Sequence, residues 1–336
     1  MLSENSILQG VQGPVEVQNL RQGEKVLALT TLGLSFVEVQ GVTYQKAPIR
    51  GISLETEEGR ILGLTEEQEV FFRFVSKRSP YDVVLVRERG VGAYVLSGKR
   101  GPREGSGETF FYRVLDQEQG STDEVFLLGS FPEESRARFL KKFIAARFGI
   151  PESFGEELDP NREDWLRLFH EIDTLGRSRE LLAGYGLDSH RPHWVQRNLT
   201  RLQLRRHLFL SAKFFRGEWH VDVGKPKVRT KAFDRIPKNQ VGETLRDLSS
   251  YEGLDHVDIE RSFELGWPWT YRCLPATGLQ PGMAIPFLED DKRSEQVISK
   301  VMRSTRKGLV YRLELGDVVG FPVDGVLLAG SLRNNI

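Results

Sequence analysis

Short apolar runs of the β-forming kind open the chain. Ser6-Ile7-Leu8, Val15-Glu16-Val17, Val26-Leu27-Ala28-Leu29, Phe36-Val37-Glu38-Val39 and Ile52-Ser53-Leu54 are separated by Gly13-Pro14, Gly23, Gly33 and Gly59. Turn signals about every ten residues predict a compact all-β unit over residues 6–75. Val83–Val86 and Ala93–Leu96 read as two further strands around Gly90-Val91-Gly92, followed by a glycine-rich loop over 98–108. The period then changes from two to 3.6. Ala137, Leu140, Ile144 and Phe148 line one face of a helix from Glu133 to Phe148, which ends at Gly149 with Pro151 beyond it. Trp165, Leu168, Phe169, Ile172 and Leu175 form the stripe of a second helix, Trp165 to Tyr185, ending at Gly186. Over the last sixty residues the runs are short and β-like again: Gln296–Ile298, Leu309–Leu315 and Gly325–Leu328.

The order is therefore β, mixed, β, which suggests one β-domain built from both chain ends and interrupted by an insertion. A repeat supports this: Leu20-x-x-Gly23-x-x-Val26 and Leu279-x-x-Gly282-x-x-Ile285 share one spacing, that of a glycine turn feeding a strand.

Composition narrows the class. Of 336 residues, 39% are hydrophobic, enough for a packed core and too many for a disordered chain. A single cysteine, Cys273, excludes an intrachain disulfide framework and a cysteine-rich zinc site. No run approaches 18 apolar residues, and Met1-Leu2-Ser3-Glu4-Asn5 lacks the basic and apolar regions of a signal peptide. The expectation is a monomer of the cytoplasm with no membrane contact.

Lys+Arg and Asp+Glu are both 47, but the balance is not local. Residues 1–75 carry 6 basic and 10 acidic side chains, net −4, whereas 197–238 carry 12 and 3, net +9. Phe209, Phe214, Phe215, Trp219 and Phe233 are interleaved with the second set. Cations among aromatics suit a surface that meets phosphates and unstacked bases; a core face backed by a solvated charged face gives the same pattern. On the first reading Arg205, Arg206, Lys213, Arg216, Lys225, Lys227, Arg229 and Lys231 contact DNA phosphates, with weak sequence preference.

Three terminal pieces resemble the Hint (Hedgehog/intein) fold of protein splicing. Gly13-Pro14-Val15-Glu16-Val17 through Gly23-Glu24-x-Val26-Leu27-Ala28 resembles the first intein block. Gly59–Gln68 resembles the second, in which a threonine is followed three positions later by histidine. Val310-Tyr311-Arg312 through Phe321 to Gly325–Ser331 resembles the last two. The resemblance covers about the first 75 and last 55 residues. It implies a mainly β horseshoe with Hint halves at 1–78 and 266–336 and an inserted α/β region at 79–265.

Splicing needs a thiol or hydroxyl at the first residue, a histidine and an aspartate to promote acyl shift, a terminal His-Asn pair and a following nucleophile. In register those places hold Met1, Gln68, Arg312, Ala329, Gly330 and Ser331, and only Thr65 and Ser331 keep the family's residue types. The resemblance thus implies a scaffold without autocatalysis; an active intein or homing endonuclease with divergent residues is the alternative, as is an accessory interaction domain of a helicase-type protein.

The insertion resembles two homing-endonuclease types. Leu182-Ala183-Gly184-Tyr185-Gly186-Leu187-Asp188 has some of the LAGLIDADG pattern but reads better as a helix terminator and turn. Tyr81–Val86, Gly92–Leu96, Glu134–Lys142 and Phe148–Pro151 resemble a degenerate GIY-YIG core, of the type inserted in inteins of UvrD/Rep-like helicases. There Tyr94 occupies part of one motif and Lys141 the place of the metal-binding glutamate. No cofactor is expected, with Mg²⁺ implied only if the nuclease is active. His190-x-x-His193 beside Asp188 reads as a solvated loop rather than a metal pair.

Overall fold

The computed structural model describes residues 2–30, 33–75, 81–88, 92–99, 124–152, 171–195, 207–215, 218–224, 256–264, 270–289, 292–316 and 318–330. The chain is mainly β and divides into two compact units. One comprises Met1–Arg73, Asn198–Leu279 and Ala284–Ile336, the other Phe74–Arg197 and Gln280–Met283. The region 79–265 is thus shared between them, and the strands of the basic segment belong to the first unit.

In the first unit the N-terminal strands are β1 (Leu2–Ser3), β2 (Ile7–Gly10), β3 (Gly13–Glu16), β4 (Lys25–Thr30), β5 (Gly33–Glu38), β6 (Gly41–Thr56), β7 (Ile61–Thr65) and β8 (Glu69–Phe74). The second unit follows with β9 (Tyr81–Glu88), β10 (Gly92–Lys99), β11 (Glu124–Phe131) and β12 (Trp194–Val195). The first unit resumes with β13 (His207–Phe215), β14 (Glu218–Gly224), β15 (His256–Glu264), β16 (Thr270–Pro275), β17 (Met283–Glu289), β18 (Lys292–Glu314), β19 (Gly320–Val323) and β20 (Val326–Ala329).

Its main sheet runs β14-β13-β15-β16-β8-β17-β20-β19-β2-β4-β5. Strands from the two chain ends alternate in it: β19 pairs with β2 (Val323 with Leu8) and with β4 (Gly320 with Leu29). β20 pairs with β8, Leu328 opposite Val70. β18 pairs with β1 and, over its length, with β6. Leu8, Val26, Ala28, Val70, Phe71 and Leu328 are buried where these strands meet. Apolar alternation in strands too short to fold alone thus finds its partner face more than 200 residues away.

The repeat in the sequence is a repeat in the structure. A 3₁₀ turn at Val17–Asn19 leads to buried Leu20, then Gly23 at φ 89°, then β4. A second, at Ala276–Gly278, leads to buried Leu279, Gly282 at φ 84°, then β17. Each leucine amide donates to the carbonyl three residues back, of Val17 and Ala276. Both glycines occupy the left-handed region that side-chain-bearing residues resist.

The second unit holds an antiparallel sheet, β10-β9-β11-β12, with two helices, Glu134–Phe148 and Thr174–Gly184. Val83, Leu85, Ala93, Val95 and Phe126 from one sheet face pack against Ala137, Ile144, Leu181 and Leu182 of the helices. The first helix ends at Gly149 in the left-handed region, as the sequence indicates. The second departs from the expected 165–185 span. Asp173 adopts φ 45° and caps a new start by accepting from the Gly176 amide at 3.0 Å, so the described helix begins at Thr174. Trp165, Leu168 and Phe169 lie outside the described residues.

Candidate functional site

The positions singled out for splicing chemistry divide into those the sheet gathers and those it does not. β7 ends at Thr65, and the turn to β8 carries Gln68; both side chains are buried, at 5% and 6% exposure. The Gln68 amide donates to the Thr65 carbonyl at 3.1 Å, and the Gln68 carbonyl accepts from Ala276 at 2.7 Å. β20, antiparallel to β8 through Leu328 and Val70, ends at Ala329, which packs against the cluster of Phe71, Tyr271, Cys273, Val319 and Leu327. β1 packs against β7 and pairs with β18, Leu2 opposite Tyr311. β1 therefore meets β7 and β20 meets β8, the two strands on either side of the turn that carries Gln68.

Arg312 stands on β18 opposite Thr43, with its side chain exposed. Met1 and Ser331 lie outside the described residues.

Gly330 sits in close quarters. Its amide donates to the Val319 carbonyl at 2.9 Å, and a Cβ added there would run into the Val318 carbonyl oxygen and side chain. Gly320, on the neighbouring β19, is equally crowded, by the Leu328 carbonyl and the Phe71 ring. The end of β20 is thus held by backbone against backbone at the residue that the sequence analysis aligns with a splicing asparagine.

Polar chemistry near this point lies where the sequence reading did not look. The Cys273 thiol donates to the Glu69 carboxylate at 3.7 Å. Tyr271, fully buried, donates its hydroxyl to Glu295 at 2.7 Å, and Glu295 is ion-paired with Arg73. Burial first, then the Glu295 carboxylate, hold the Tyr271 phenol far above its ordinary value. In sequence these groups are scattered over three β runs. The available signal was Glu69 and Arg73 at polar positions of an otherwise buried strand.

The nuclease positions form no surface site. Tyr94 is buried in the sheet at 1% exposure. Lys141, which the sequence analysis aligns with a metal-binding glutamate, forms an ion pair with the Glu152 carboxylate at 2.7 Å. These residues do not fit Mg²⁺, since an ammonium occupies the ligand's place. Among the described residues no group of three His, Cys, Asp or Glu side chains is disposed to hold a metal ion. The LAGLIDADG-like segment ends a helix: Leu187 N–H donates to Leu182 and Gly186 N–H to Ala183, with Gly186 at φ 65°, a Schellman terminus.

His193 corrects the solvated-loop expectation. It is 2% exposed, and its Nδ1 accepts from the Leu127 amide at 3.0 Å, with the ring edge-on to Phe126. His190 is exposed, and its amide donates to the Asp188 carboxylate at 2.9 Å.

Of the expected DNA contacts, only Lys213 falls within the described backbone, on β13 opposite His220. Arg205, Arg206, Arg216, Lys225, Lys227, Arg229 and Lys231 lie outside it. No helix among the described residues is long and apolar enough to cross a membrane.

No protein-family model matches the chain, and no curated protein matches it in sequence. Among solved structures, the chain is similar to two crystal structures of the gp41-1 intein, one carrying three substitutions. The substituted form is 20% identical at a TM-score of 0.18, covering 24% of this chain and 65% of that one. The other is 20% identical at a TM-score of 0.18, covering 26% and 67%. The chain thus spans about two thirds of the intein's length.

Proposed function

We propose that the first unit is a Hint-type scaffold of the intein kind in which splicing chemistry has given way to packing. The reading rests chiefly on Gly330. Cyclisation needs a side-chain amide that attacks its own following carbonyl, and glycine has none. Space for one is also absent, since a Cβ at 330 meets the Val318 carbonyl. Gln68 cannot shuttle a proton as an imidazole does. Arg312 brings a positive charge where the family has aspartate. The pairing of both chain ends in one sheet supports the scaffold half of the proposal.

The test is intact-mass measurement after incubation with thiol or hydroxylamine, which trap thioester and ester intermediates. The full-length mass is expected throughout; a fragment cut before residue 331 overturns the reading. As its partner we propose DNA, held through the basic segment around Lys213, with affinity that falls log-linearly as salt rises. Absence of any duplex or single-strand shift at low salt overturns that part and leaves the scaffold reading standing.

A further inference from the structure

The helix Glu134–Phe148 sends Ala137 and Ile144 into the core of the second unit, with Leu140 and Phe148 packed beside them. Its opposite side carries two phenylalanines that take no part in that core. Phe139 is 71% exposed and Phe143 44%. Nothing in the packing of the unit requires a large ring at either place.

The two rings are aligned with one another. Their planes lie within 20° of parallel and their centres 6.4 Å apart. Next in the same row is Arg147, whose guanidinium stands over the Phe143 ring at 5.8 Å and over Phe148 at 5.6 Å. Three flat groups thus follow one another along the helix at a rise of about 6 Å each. From Ser135 to Pro151 the chain has five basic residues and no acid: Arg136, Arg138, Lys141, Lys142 and Arg147. Arg136 and Arg138 pair with Glu133 and Glu134, and Lys141 with Glu152. Among the described residues, exposed Lys142 and exposed Arg147 are the cations of this helix left to meet an anion.

We infer that this row is a stacking platform for single-stranded nucleic acid, separate from the basic segment at 197–238. Stacked bases lie about 3.4 Å apart, and two such steps make about 6.8 Å, close to the separation of the ring centres. An unpaired base therefore finds a near-parallel ring to lie against at each step, and the Arg147 guanidinium extends the row by one more plane. Lys142 and Arg147 flank the rings and take the phosphates. A duplex gains nothing here, because its bases already stack on one another. A partner helix or a lipid surface needs a longer apolar stripe than two rings and Ala146 supply. Every base has a face to stack, so binding is tolerant of sequence. With about two phosphates neutralised, log affinity falls against log salt with a slope of about −1.4.

The test is fluorescence anisotropy of the full chain at about 50 mM salt with a labelled mixed-sequence single strand of about 12 nucleotides. An abasic strand of the same length, a duplex and sedimentation with phosphatidylserine vesicles run beside it. F139L/F143L keeps apolar side chains on an exposed face and removes both rings. It is expected to weaken single-strand binding by at least about tenfold and to leave duplex binding unchanged. The wild type is expected to hold the abasic strand no better than F139L/F143L holds the intact one. F139L alone, checked like the double variant by thermal melting, gives a smaller loss in the same direction and covers misfolding of the double form. Unchanged single-strand binding by the folded variants, equal binding of the abasic strand, a preference for the vesicles, or no single-strand binding by the wild type overturns the inference. K225E/K227E separates the two surfaces: loss of single-strand binding with it alone assigns the strand to the basic segment and removes the platform.

Discussion

Ile7 and Asp324 hold the two ends of the chain together by a reciprocal pair of hydrogen bonds. The Ile7 amide donates to the Asp324 carboxylate at 3.1 Å, and the Asp324 amide donates to the Ile7 carbonyl at 2.8 Å. Asp324 can do this because it begins a two-residue hairpin turn. Val323 pairs with Val326, and the Asp-Gly between them adopts φ 50° and 82°, the twist that flanking strands prefer.

Asp324→Ala removes the acceptor and places a residue without local hydrogen bonding in the left-handed region. It is expected to cost about 1–2 kcal/mol. Asp324→Asn keeps both an acceptor and the tolerance for positive φ, so its urea midpoint should lie well above that of the alanine variant.

The same residue predicts a pH dependence. Burial raises the Asp324 carboxyl above its ordinary range, partly offset by the hydrogen bond from Ile7. The folded chain therefore holds this proton more tightly than the unfolded chain. Stability from the neutral acid is full below the unfolded value of about 3.9 and is lost as pH rises through the folded one. Asp324→Asn cannot ionise, so its stability relative to wild type should rise from acid to neutral pH. A constant difference across that range would refute the assignment.

Much of the fold was legible because its signals are local. Gly13, Gly23 and Gly59, expected at turns, adopt positive φ, whereas Gly33, also expected at one, opens β5. The Leu-x-x-Gly repeat marks two like turns. The strand partners were not legible, since nothing in Leu328 announces Val70. The candidate site was legible as a set of positions but not as a shape. That Gly330 has no space for a side chain follows from the Val318 backbone, which the sequence does not reveal. His193 misled because one histidine in a polar, proline-bearing stretch reads as exposed, whereas its ring satisfies the Leu127 amide of a buried strand.

His193→Ala should leave that amide without its acceptor and cost about 1–3 kcal/mol. Hydrogen exchange at the Leu127 amide reads this directly, and protection equal to wild type would show that another group takes over the bond.

Cys273 should react slowly with alkylating reagents in the native state, being 8% exposed and hydrogen-bonded to Glu69. Glu69→Ala should speed alkylation without unfolding. Tyr271→Phe, which deletes the hydroxyl donor to Glu295, should lower stability by about 1 kcal/mol.

The account holds that inertness is built into the geometry as well as the residue types. The most direct measurement is the intact mass of a chain given the missing groups together: Met1→Cys, Gln68→His, Arg312→Asp, Ala329→His and Gly330→Asn. The uncleaved full-length mass is predicted, with the variant less stable than wild type by about 1–3 kcal/mol from overpacking at 330. A product cut between residues 330 and 331 would contradict the account, since it would show a working site that lacked only its side chains.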